Sequence, residues 1–200
     1  QFENIYFSYK DEDILKGCSF VVRKNEHLIF KGRSGCGKST LLKLILGFLK
    51  PSVGKIFFYQ DAKNMHGLIR HYSAWLPQDL NIGAGIVSDV LNYPFRFAVN
   101  QAAKPVQKTC LEVLEKVGIA AKFYNKPFRE LSTGQKQRVG IALCYLLDKP
   151  LLLLDEPTAS LDEHSKTLVA DLLFNQNTTI ISTSHDPFWL NYASQIYEIG

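Results

Sequence analysis

Long apolar runs are what this 200-residue sequence most plainly lacks. None comes near the roughly 18 residues that a membrane-spanning helix needs, so the chain is expected not to cross a bilayer by itself. Cysteine is scarce and scattered. Cys18, Cys36, Cys110 and Cys144 make no C-x-x-C and no Cys/His pairing at metal spacing, which points to reduced thiols in a cytosolic protein. An excess of one charge is also missing. Lys and Arg number 23 against 19 Asp and Glu, and a spread surplus of +4 is too weak to argue for nucleic acid or a lipid surface. No nucleic-acid partner is expected. There is no signal peptide, and the opening at Gln1 rather than a methionine suggests a missing native start.

What is present is ordinary globular composition. With 46% apolar and 21% charged residues, collagenous, mucin-like and wholly disordered chains are ruled out. The length suits one α/β domain with a lobe inserted in it, and a core of that size needs no disulfide or metal staple.

The first 60 residues read as strands around one glycine-rich turn. Phe2 to Tyr9 and Cys18 to Val22 are strand candidates with a polar turn from Lys10 to Asp13 between them, and His27 to Lys31 is a short buried strand. From Ser39, residues Leu41, Leu42, Leu44, Ile45 and Leu46 give an apolar helix face, closed near Gly47 and stopped by Pro51. Ile56 to Tyr59 and Ser73 to Leu76 look like further strands. From about Asp79 the pattern changes. Val106, Cys110, Val113, Leu114 and Val117 recur at helical spacing, with Gly118 as a C-terminal cap. Ile141 to Leu147 then reads as helix, Leu151 to Leu154 as a buried strand, Leu168 to Phe174 as helix and Thr178 to Thr183 as strand. Short apolar strands alternating with helices predict a mainly parallel sheet covered on both faces. The expected fold class is α/β: a P-loop NTPase (RecA-like) core with an N-terminal antiparallel β part. The core takes about 1–78 and 141–200, with an inserted α-helical lobe at about 79–140.

Gly32-Arg33-Ser34-Gly35-Cys36-Gly37-Lys38-Ser39 fits G-x-x-x-x-G-K-[ST] between a strand and a helix, the context this motif demands. Gly35 and Gly37 allow backbone conformations that turn successive N–H groups inward as a phosphate nest. The helix start adds the positive end of its dipole, Lys38 adds a full charge, and Ser39 offers a hydroxyl to Mg²⁺. Leu151 to Leu154 end in Asp155 and Glu156. Asp155 is placed to hold Mg²⁺, and Glu156 to act as the base toward an attacking water. An isolated acid pair is most often a solvated strand end, but downstream of a phosphate loop it reads as a site. Ser132 and Gln135 form a capping box ahead of an apolar helix, which alone is a common structural device. Ser132 and Gly134 also offer a hydroxyl and free N–H groups at that helix start, a second anion site in a chain that already has one.

Taken together, these residues resemble an ATP-binding-cassette (ABC) ATPase domain over essentially the whole chain. Leu131-Ser132-Thr133-Gly134-Gln135 is similar to the family signature L-S-G-G-Q, with Thr133 in place of the first glycine. The resemblance implies adenine stacking on Tyr9 and a Q-loop beginning at Gln78, which senses Mg²⁺ and water. It also implies a D-loop at Ser160-Leu161-Asp162 and a switch histidine, His185, toward the γ-phosphate. Asp162 reads equally as the N-cap of the next helix. Gly32 to Thr40 would bind ATP from one chain, and Ser132, Gly134 and Gln135 from the other. Catalysis would fall to Glu156, His185, Lys38 and Gln78, and Mg²⁺ to Ser39, Gln78 and Asp155. The branched Thr133 is expected to crowd the signature loop.

The implied function is the ATP-hydrolysing subunit of an ABC transporter. It would be cytoplasmic and peripheral on the inner face of the cell membrane, and homodimeric when ATP-bound, with a separate transmembrane permease as partner. With the sequence ending soon after His185, the regulatory C-terminal domain that some importer subunits carry is not expected. The region Asp79 to Arg96 would line the groove for the permease, and Ser88 to Phe95 resembles the small subunits of Fet-type (YbbL-like) metal exporters. A soluble ABC machine, such as an iron–sulfur assembly ATPase, is the second reading. DNA-repair members need a long coiled coil, and no sustained heptads occur between Gln78 and Leu131. A G-protein would need an N-K-x-D motif, which is absent.

Overall fold

The computed structural model describes residues 1–10, 12–60, 63–64, 69–80, 85–174 and 177–199. Asp11 of the expected polar turn and residues 81–84 of the expected lobe lie outside them.

The chain opens with β1 (Phe2–Tyr9) and β2 (Glu12–Phe20), then β3 (His27–Lys31), α1 (Lys38–Ile45) and β4 (Val53–Ile56). A two-residue hairpin follows, β5 (Tyr59–Gln60) with β6 (Lys63–Asn64), then β7 (Ser73–Leu76). Helices α2 (Val87–Asn92), α3 (Ala98–Gln101), α4 (Gln107–Lys116) and α5 (Thr133–Leu146) come next. The chain finishes through β8 (Leu151–Asp155), α6 (Glu163–Phe174), β9 (Thr179–Thr183), α7 (Pro187–Leu190) and β10 (Gln195–Glu198). No helix among the described residues is long and apolar enough to cross a membrane.

Five strands form one sheet in the order β10-β3-β9-β8-β7, and every pairing is parallel. Strand β9 therefore lies between β3 and β8. The carboxyl ends of all three strands open on the same edge, where α/β sheets place ligands. Side chains alternate across this sheet. Leu152, Leu154, Ile29 and Ile180 enter a core shared with helices α2, α4, α5 and α6. Leu151, Leu153, Leu28, Phe30 and Ile181 enter a second core under α1 and the antiparallel sheet. Period-two alternation with both faces buried explains why β8 reads as one unbroken apolar run.

The second sheet is antiparallel, in the order β2-β1-β4. Here two expected boundaries move. Strand β2 starts at Glu12 and ends at Phe20, rather than running from Cys18 to Val22. It is an edge strand, so exposed Glu12, Asp13 and Lys16 share it with buried Leu15 and Cys18, and their polarity reads as a turn. Strand β4 is Val53–Ile56 rather than Ile56 to Tyr59. It crosses β1 so closely that a Cβ on Gly54 would collide with the carbonyls of Glu3 and Asn4, and Gly54 sits at φ +95°. Helix α1, after the phosphate motif, keeps its expected place, whereas α5 starts at Thr133 rather than Ile141 and runs unbroken from the capping box into the core.

Candidate active site

The loop after β3 is shaped by its glycines. Gly35 and Gly37 have φ of +84° and +105°, and a Cβ on Gly37 would lie 2.7 Å from Ile14 Cγ2. A side chain there would push β2 off the loop. Arg33, Ser34 and Gly35 are exposed, Gly32, Cys36 and Ser39 are half-buried, and Thr40 is buried. Lys38 is buried too, so its ammonium must find acceptors. Its Nζ donates to Gly32 O at 2.8 Å and to Arg33 O at 3.1 Å.

Strand β8 delivers the acid pair. Thr183 on the neighbouring strand β9 donates its hydroxyl to Asp155 Oδ1 at 2.7 Å and accepts the Glu156 N–H at 2.9 Å. Gln137 of α5 donates its side-chain amide to Glu156 O at 2.9 Å. Glu156 itself is left-handed, φ +49°, a conformation costing of order 1 kcal/mol that these two bonds hold in place. Burial raises its carboxyl above the ordinary range, against the pull of the His185 and Lys38 charges. A half-buried carboxylate raised in this way suits a general base.

His185 follows β9 and closes the group. Its Nε2 lies 3.0 Å from Lys38 Nζ and 3.3 Å from Glu156 Oε1. The structure thus brings Lys38, Glu156 and His185 into contact, with Ser39 and Asp155 one residue away from them. Gln78 is exposed two residues past β7, the sheet's edge strand beside β8. Tyr9 stands apart at the end of β1, 45% exposed and edge-on to Phe7 at 4.8 Å.

The remaining expected residues form a second cluster. Ser132 caps α5: its Oγ accepts the Gln135 N–H at 3.3 Å, and Gln135 Oε1 accepts the Ser132 N–H at 3.0 Å. Thr133 is exposed in the first turn of α5. The crowded position is Gly134, where a Cβ would lie 2.6 Å from Ser160 O. Asp162 Oδ1 accepts the Ser165 N–H at 2.7 Å, capping α6, and its carboxyl is held below the ordinary range chiefly by bonds to Ser165. Arg138 binds this cluster to the end of α4, donating to Val117 O and Gly118 O at 3.0 Å each.

Gln137, Arg138 and Thr183 escape sequence reasoning. One signal for Gln137 exists: it is a long amide on the helix face continued by buried Ile141 and Cys144.

A phosphate-loop strand separated by one strand from the acid-bearing strand, with a lysine, carboxylate and histidine meeting at the carboxyl edge, defines a P-loop ATPase. The comparisons narrow that class. The family described as ABC transporter matches residues 15–159. The phosphonates import ATP-binding protein PhnC of Fusobacterium nucleatum is 35% identical over 92% of this chain and 81% of its own. The ergothioneine transport protein EgtV of Helicobacter pylori is 32% identical over 92% and 88%. The probable iron export ATP-binding protein FetA of Escherichia coli is 30% identical over 98% and 88%. A dimeric ATP-binding cassette in a post-hydrolysis state, bound to ADP and Pi, superposes with a TM-score of 0.84 at 25% identity, covering 99% of this chain and 93% of that one. A bacterial ABC exporter with ATP bound gives 0.85 at 25% identity, covering 100% of this chain and 36% of that one. The chain belongs to the ABC transporter family.

Proposed function

We propose that two such chains pair head to tail around two Mg-ATP, hydrolyse them and thereby drive a separate permease at the inner face of the cell membrane. The observation that carries the chemistry is the meeting of Lys38, His185 and Glu156 at one sheet edge. Gly32 to Thr40 cradle the β- and γ-phosphates through backbone N–H groups and Lys38. Tyr9 stacks on adenine. Glu156 takes a proton from the attacking water, and His185 steadies that water and the γ-phosphate. On the opposite face of each nucleotide stand Ser132, Gly134, Gln135 and Asp162 of the second chain.

The metal-binding residues fit magnesium. Ser39, Asp155 and Gln78 supply a hydroxyl, a carboxylate and an amide carbonyl, all hard oxygen donors. Among the described residues no three His, Cys, Asp or Glu gather into a metal cage of their own. Magnesium completes its shell with water and phosphate oxygens, and when bound it would neutralise phosphate charge.

We read the part of the inserted lobe from about Asp79 to Arg96 as the face toward the permease. The named cargoes of the relatives range over ergothioneine, phosphonates and iron, as expected if cargo choice resides outside the cassette. The test is to express tagged Glu156→Gln chain in its native host and purify it with Mg-ATP from detergent-solubilised cells. A multi-span protein recovered with it supports the reading and names the permease. Recovery from the soluble fraction with cytosolic partners alone overturns transport and favours a soluble ABC machine.

A further inference from the structure

Directly after His185, Asp186 makes an ion pair that the nucleotide chemistry does not use. Lys166, in the second turn of α6, places Nζ 2.9 Å from Asp186 Oδ2 and 2.8 Å from Glu163 Oε1. The Lys166 and Asp186 side chains are only 13% and 16% exposed, whereas Glu163 is 78% exposed. The first pair is thus shielded from solvent screening and the second is a surface contact. Burial works against the Asp186 carboxylate. Lys166, the neighbouring Thr158 hydroxyl and the Phe188 N–H together still hold it below the ordinary range.

Asp186 also sets the backbone that presents His185. Its Oδ1 accepts the Phe188 N–H at 3.0 Å and so caps α7, while its own N–H goes to Ser184 Oγ at 3.0 Å. Movement of Asp186 therefore moves the residue before it. Lys166 belongs to a different helix, α6. Helix α6 begins at the Asp162 cap, and Ser160, two residues earlier, abuts Gly134 at the start of α5. A continuous series of contacts thus runs from Gly134 through Ser160 and α6 to Lys166, Asp186 and His185.

We propose that the Lys166–Asp186 ion pair is a positioning clasp, which fixes His185 relative to the α6 surface offered to the second chain. The proposal rests on the reading of His185 as a residue that acts on the nucleotide. Lys166 touches neither nucleotide nor water in this scheme and acts only through Asp186 and His185. Without the clasp, Asp186 and His185 lose their tie to Lys166 while α6 stays packed on Trp189 and Tyr192 through Phe174, so ATP still binds but the reacting group is poorly aligned.

The experiment is a double-mutant cycle on the full chain, reading kcat and KM for ATP and the melting temperature. Lys166→Met is expected to lower kcat about tenfold with KM changed less than about twofold. Lys166→Arg, which keeps the charge and reach, is expected to restore most of the rate. Glu163→Gln removes only the exposed contact and is expected to leave kcat unchanged. In a His185→Ala background, Lys166→Met should cause less than about a twofold further loss, because the two act as one unit. Full additivity in that background, or a kcat for Lys166→Met equal to the parent's, overturns the clasp. If His185→Ala alone keeps full activity, the role of His185 falls and the clasp with it. Should Lys166→Met melt too low to assay, Asp186→Asn breaks the same pair from the other side and runs the same cycle.

Discussion

Lys38 and His185 stand 147 residues apart in the chain, and their Nζ and Nε2 atoms lie 3.0 Å apart in the fold. The same Nε2 lies 3.3 Å from Glu156 Oε1. One ring nitrogen can accept a hydrogen bond from the ammonium or donate one to the carboxylate, but it cannot do both in one protonation state. His185 is therefore set between the Lys38 ammonium and the Glu156 carboxylate. The parallel order β3-β9-β8 makes the meeting possible, because all three residues follow carboxyl ends of adjacent strands.

If Glu156 is the base, Glu156→Gln should keep ATP binding and lower kcat by about 10²- to 10⁴-fold, the usual weight of a positioned proton acceptor. The parent's rate should also fall on the acid side at a higher pH than an ordinary glutamate would impose, since burial favours its protonated form. Steady-state ATPase assays and a nucleotide-binding titration check both. A parent-like rate in the variant would sink the assignment.

Thr183 has two tasks, holding Asp155 Oδ1 and the Glu156 N–H. Thr183→Val keeps the shape and strips both bonds, leaving buried polar groups unpaired at about 1–3 kcal/mol each. Denaturant unfolding should show that loss, and kcat should fall with it. A variant as stable and as active as the parent would mean that the acids are held some other way.

His27 ties the far end of β3 to β9. Its Nδ1 faces Tyr192 O at 3.1 Å and so carries the proton, leaving Nε2 to accept from Ser182 Oγ at 2.8 Å, which in turn accepts the Trp189 indole N–H at 3.0 Å. Burial lowers its pKa from 6.5 to about 4. The neutral ring belongs to the folded state, so this stabilisation is complete above pH 6.5 and is lost as pH falls toward 4. The loss is at most about 3 kcal/mol. Urea unfolding at pH 7 and pH 4.5 should show the slope in the parent and a shallower one in His27→Gln. Parallel slopes would contradict it.

The parts legible in the sequence are those written in consecutive residues. The phosphate loop, the acid pair after Leu151 to Leu154 and the Ser132/Gln135 capping box each carry their own geometry, and each lies where its local pattern says. Partners from distant segments are not legible. Nothing near Gln137 announces that it will hold Glu156, and nothing near Lys166 announces Asp186, because sheet order and helix packing create those pairs. The β2 boundary was obscured for another reason. An edge strand with one wet side alternates polar and apolar residues, and Glu12 and Asp13 look like a turn until β1 is placed beside them.

Ser132 caps α5 and, in the proposed pair, faces the second chain's nucleotide. Ser132→Ala should cost about 1 kcal/mol of stability through the lost cap. It should leave ATP binding to the single chain intact and weaken ATP-dependent pairing. Equal pairing in Ser132→Ala and the parent would show that the α5 start does not face the second nucleotide.

Light scattering on the Glu156→Gln chain, with and without Mg-ATP, tests the central claim most directly. The account predicts that the mass doubles when ATP is added, with one nucleotide retained per chain, and that removing Mg²⁺ reverses the doubling. A chain that stays monomeric with its phosphate loop saturated by Mg-ATP would contradict the paired mechanism.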